Sequence, residues 1–90
     1  MQEVHKCKGE ITALHKIKEM SHENFKQEIC GFLGYDYEKK EFIVQKEENI
    51  AKDPRSHFLI SPLNYLLFKD SYGMIAIFHS HIIGDEKESE

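Results

Sequence analysis

The sequence predicts a small mixed fold, α/β or α+β, in which a single sheet is flanked by helices. Three observations carry that expectation. Two apolar runs, 29–35 and 74–78, are too short for helices and have the character of buried strands. Two other segments repeat their apolar residues at near-helical spacing, and a serine-proline pair opens the second of them. The chain has 90 residues, 40% of them hydrophobic and 31% charged, so it reads as one globular domain over 1–90 with no second core. Folding a chain of this size removes only roughly 60–65% of its surface from water, which leaves a thin margin of stability.

Residues 1–7 read as a short strand. From Glu10 to about Asn24, Ile11, Leu14 and Ile17 recur among lysines and glutamates, which predicts an amphipathic helix. The run Ile29-Cys30-Gly31-Phe32-Leu33-Gly34-Tyr35 predicts a buried strand whose two glycines mark close packing. Residues 36–40 are turn-like, and Phe42-Ile43-Val44 supplies the aromatic and β-branched residues of a returning hairpin strand. A loop follows over 49–55. Ser61-Pro62 then predicts a helix start, the serine capping free N–H groups and the proline tolerated at the first position. Leu63, Leu66 and Leu67 share a face of this helix, which runs to about Ser71. Gly73 breaks it, and Met74-Ile75-Ala76-Ile77-Phe78 predicts a last strand leading into His79-Ser80-His81.

The formal net charge is −4, and Asp85, Glu86, Glu88 and Glu90 against Lys87 place three of those units in the last six residues. The nearly neutral body offers no basic stripe for nucleic acid and no cationic face for an anionic membrane. The first twenty residues are interrupted by His5, Lys6, Lys8, Lys16 and Lys18, and no apolar run is long enough to cross a bilayer. A cytoplasmic location is expected, with Cys7 and Cys30 as two reduced thiols rather than a disulfide.

Chemistry is suggested at the end of the last strand. In an extended chain, residues i and i+2 point to the same side with Cα atoms roughly 6.5 Å apart, so His79 and His81 can meet at one ion. Zinc accepts imidazole nitrogens in a tetrahedral shell and keeps one corner open for water in catalytic sites. By itself a His-x-His is a weak signal and is more often a solvent-facing pair at a strand end. Glu28, a carboxylate immediately before a core strand, is a second candidate, because such a group can act as general acid and base beside a metal. Its alternative is a surface glutamate at a strand start. His5, His15, His22 and His57 share no ligand spacing and are read as surface or packing residues. Cys30 is read as a structural cysteine, since a buried thiol beside a carboxylate has a raised pKa and low reactivity.

A glutamate before a Cys-Gly-Phe-Leu-Gly strand, followed by His-x-His, seven residues and a serine, resembles the JAMM, or MPN-type, metalloprotease family. On that resemblance Glu28 matches the catalytic glutamate, His79 and His81 the zinc-binding histidines, and Ser89, after the seven residues 82–88, the serine. Asn49, Pro54, Phe58 and Ser61-Pro62 are similar to the family's middle region. Two departures stand out. Ile82 replaces a proline common after the second histidine, and the family's metal-binding aspartate would fall two positions beyond Glu90. Asp85 is the nearest substitute ligand.

The resemblance implies a cytidine-deaminase-like sheet flanked by helices, with this chain roughly the first two-thirds of the domain. Residues 82–90 are then expected to form a mobile loop. It further implies a Zn2+-dependent hydrolase of peptide or isopeptide bonds, acting at the carboxyl terminus of a ubiquitin-like or sulfur-carrier protein. In that role Glu28 deprotonates the water and Ser89 hydrogen-bonds the oxyanion. The compact chain looks like a prokaryotic-type member. The missing aspartate also motivates the opposite expectation, a non-catalytic scaffold or binding module of the same fold, and a purely structural metal site is a third.

Overall fold

The computed structural model describes residues 3–23, 28–54 and 57–80. Its elements run β1 (Glu3–Cys7), α1 (Glu10–Glu23), β2 (Cys30–Asp36), β3 (Glu41–Glu47), α2 (Pro62–Ser71) and β4 (Gly73–His79). The strands form one antiparallel sheet in the order β1-β3-β2-β4, so the described residues make a small α+β fold with four strands and two helices. No helix among the described residues is long and apolar enough to cross a membrane.

The β2–β3 hairpin at the centre follows from its turn. Asp36 Oδ1 accepts the Glu38 and Lys39 amides at 3.0 and 3.1 Å, the Lys40 amide closes on Asp36 O at 2.7 Å, and Lys40 takes a left-handed φ of 57°. That turn sets Tyr35 opposite Phe42 and Leu33 opposite Val44. Both faces of the hairpin are covered, which is why adjacent residues such as Ile43 and Val44 are both fully buried. One face joins Ile29, Leu33 and Val44 to Cys7 and to Ala13 and Met20 of α1. The other joins Phe32 and Ile43 to Phe68 of α2. Gly34 makes the second packing possible: a Cβ there would stand 2.5 Å from Cε1 of Phe68 and 2.9 Å from the Gly73 carbonyl oxygen.

Three burial expectations are corrected. In α1 the apolar period holds but its phase is turned: Ile11 and Leu14 are exposed, and Ala13, Met20 and half-buried Ile17 face the sheet. These three are spaced four and three apart, the repeat of one helical face. In α2 the leucines at 63, 66 and 67 are exposed and Phe68 is buried instead. The reason is an aromatic core on that side, where Phe68 meets Phe32 at 5.0 Å and Tyr72 at 5.1 Å between centroids, with Tyr65 at 6.1 Å from Phe32. The cap of α2 is as expected, Ser61 Oγ accepting the Asn64 amide at 3.3 Å with Pro62 next to it.

The third correction concerns β4, which among the described residues is an edge strand rather than a buried one. Helix α1 lies over β1 and β3 and leaves its side of β4 open, which exposes Ala76 opposite Leu33; Ile75 and Ile77 are exposed as well, and of the apolar run only Met74 and Phe78 reach the clusters. A register shift between Leu33 and Gly34 offsets β4 along β2.

Candidate functional site

The antiparallel pairing of β2 with β4 sets the first residue of one strand against the last of the other, Cys30 opposite His79. Hydrogen bonding continues one residue past the strands. Ser80 N donates to Ile29 O at 2.9 Å, and Ile29 N donates to Ser80 Oγ at 3.0 Å. Ile29 packs on the α1 side and Phe32 on the α2 side, so alternation within β2 gives Cys30, and His79 as its cross-strand partner, the α2 side. Glu28, the residue before Ile29, and His79 therefore come to the same end of the sheet.

Both residues are held. Glu28 is only 6% exposed; its amide donates to Pro54 O at 3.0 Å and its carbonyl accepts from Asn49 Nδ2 at 3.0 Å. His79 lies at the surface with Phe58 stacked on its ring, centroids 4.3 Å apart and planes 17° from parallel. His81, Ser89 and the substitute ligand Asp85 lie outside the described residues, as does the whole 82–90 segment expected to be a loop. Of the expected ligands only His79 is described, and its imidazole is a donor of the kind zinc takes. Among the described residues, no group of three or more His, Cys, Asp or Glu side chains is gathered for a metal.

Sequence reasoning assigned no role to two residues that shape this region. Glu47 lies across the sheet from Cys30 and is 3% exposed. Its carboxylate accepts from Gln45 Nε2 at 2.7 Å and from Asn64 Nδ2 at 2.8 Å, which ties β3 to α2. Asn49, quoted only as part of a resemblance, bonds to five backbone groups with one side chain. No periodicity signals either residue. A glutamate facing the core looks like any surface glutamate until the helix above it is placed.

The cysteines are free and buried. Burial first, and the Glu47 carboxylate second, push the Cys30 thiol up to about 11, which keeps it protonated and unreactive near neutrality. The neighbouring carboxylate is thus contributed by β3. His15, His22 and His57 are exposed, and half-buried His5 contacts Glu3 at 2.7 Å, so none joins the site. Comparison of the chain with family models, with curated proteins and with solved structures finds no match.

Proposed function

We propose that this chain carries the glutamate and histidine half of a JAMM-type zinc peptidase site, on a sheet of the cytidine-deaminase-like kind. The supporting observation is at the β2–β4 end, where Ile29 and Ser80, 51 positions apart, bond to each other, so that the residues preceding each, Glu28 and His79, lie at the same end of the sheet. Glu28 is also only 6% exposed, so it sits at the edge of the core rather than at the free surface, where the alternative reading as a surface glutamate would put it.

In this reading His79 and His81 hold the ion. Zinc, when bound, supplies the Lewis acidity that brings a water toward deprotonation at neutral pH. Glu28 takes that proton on its carboxylate and returns it to the leaving amine, and Ser89 donates to the oxyanion. The substrate class is a peptide or isopeptide bond following the carboxyl terminus of a ubiquitin-like or sulfur-carrier protein, a preference carried by the motif resemblance alone.

The test uses the 90-residue chain supplied with one equivalent of zinc and a ubiquitin-like fusion bearing a short peptide after its carboxyl terminus. Hydrolysis is expected, with kcat about 10²–10⁴ lower for Glu28→Gln. Zinc per chain, measured by elemental analysis, should be unchanged in Glu28→Gln and lost in His79→Ala. Hydrolysis that survives Glu28→Gln removes the general base from the proposal. A folded chain that neither retains zinc nor cleaves counts against the peptidase reading.

A further inference from the structure

We propose that Asn49 is the positioning residue that fixes Glu28 and the aromatic wall of His79 in a single arrangement. The inference rests on the reading of Glu28 and His79 as working partners. Nδ2 of Asn49 donates to Glu28 O at 3.0 Å, to His57 O at 2.9 Å and, more weakly, to Pro54 O at 3.4 Å. Oδ1 accepts the amides of Ala51 and Leu59, both at 3.1 Å.

A primary amide has two N–H donors and one oxygen with two lone pairs, so these contacts use its full capacity and share one proton between two carbonyls. No other side chain with this reach offers both halves: aspartate keeps the oxygen and loses the donors, and serine has a single O–H.

The connections run in two directions. On one side Asn49 holds the carbonyl of Glu28, and Pro54, at the far side of the same loop, accepts the Glu28 amide. On the other side it holds His57 and Leu59, the two neighbours of Phe58, and the Ile50 amide reinforces the closure by donating to Leu59 O at 3.0 Å. Phe58 is the ring stacked on His79. One side chain therefore links the backbone of the proton carrier to the surface that orients the imidazole, while contacting neither side chain itself.

Three measurements on the full chain test this. In the unaltered protein the Asn49 side-chain NH2 protons should exchange slowly with solvent, a result that needs no variant to fold; free exchange at the rate of an exposed amide overturns the proposal. In Asn49→Asp and Asn49→Ser at pH 8, well below the melting temperature, the His79 ring protons should lose the upfield shift imposed by Phe58, as they do in Phe58→Leu. On the fusion substrate, kcat should fall about tenfold to a hundredfold with KM unchanged, the loss expected from a sub-ångström to ångström displacement of a working group.

A role confined to stability lowers the melting temperature but leaves the ring shift and kcat of the folded fraction alone, and that result refutes positioning. Loss of the ring shift in a chain that shows no hydrolysis supports the positioning by Asn49 and rejects the peptidase reading, so the two failures are distinguishable.

Discussion

Gly31 offers the sharpest test of how β2 and β4 are held together. A Cβ added there would stand 2.5 and 2.9 Å from Cζ and Cε2 of Phe78 and would collide with the backbone oxygen of Gln45. Carbon atoms settle at about 3.5–4.0 Å, so roughly 1 Å must be found on each side. The Phe78 ring can swing away, but it then leaves the α1-side cluster against which it packs. The Gln45 oxygen cannot, because β3 is paired on both sides, with β1 and with β2.

Gly31→Ala is therefore expected to cost about 3 kcal/mol, the upper part of the range for overpacking. A domain of this length has a total stability of roughly 5–13 kcal/mol, so the loss is a large fraction. In urea unfolding followed by far-UV circular dichroism it appears as a midpoint lowered by about 1–3 M, and in a thermal scan as a shift of about 12–24 °C. Phe78→Leu in the same chain should recover only part of the loss, since the Gln45 oxygen remains. Gly9→Ser is the control: nothing lies within 4 Å of a Cβ at Gly9, and serine suits the start of α1, so stability should move by less than about 0.5 kcal/mol. A Gly31→Ala chain as stable as the unaltered one would refute the close approach of Phe78 and Gln45 to β2.

Removing the Ser61 cap by Ser61→Ala should destabilise α2 by about 0.5–1 kcal/mol in the same unfolding assay, toward the low end because the capping bond is long at 3.3 Å. Asn64→Ala should cost about 1–3 kcal/mol, because it withdraws a donor from a carboxylate that is 3% exposed. Cys30, whose folded thiol titrates near 11 against an ordinary 9, should resist iodoacetamide at pH 8 in the folded chain and react once urea unfolds it. The same shift fixes a pH dependence. The folded state keeps the proton that the unfolded state gives up, so this contribution to stability is full below about pH 9 and is lost as pH rises through about 11. Comparing urea midpoints from pH 8 to 11 with those of Cys30→Ala isolates it, and parallel profiles would reject the raised thiol.

What the sequence determined is mostly local. Strand and helix limits follow from short-range rules: Pro62 behind a capping serine, Asp36 accepting two turn amides, and apolar runs broken at Gly73. The motif spacing likewise singled out Glu28 and His79 before any geometry was known.

Which face each element buries depended on the partner instead, and the sequence misled there. Leu63, Leu66 and Leu67 are the more obvious apolar face of α2, yet Phe68 is buried because Phe32 and the open space above Gly34 lie beneath it. The apolar run of β4 suggests burial, yet its position at the sheet edge leaves Ile75 and Ile77 exposed. Glu47 and Asn49 carry no periodic signal, and their roles arise only when α2 and the 49–59 loop fold over the sheet and bring long-range donors and acceptors within reach. Propensity and capping act over a few neighbouring residues, so the chain alone specifies them. Burial and hydrogen-bond partnership are properties of pairs distant in sequence, and only tertiary packing decides which pairs exist.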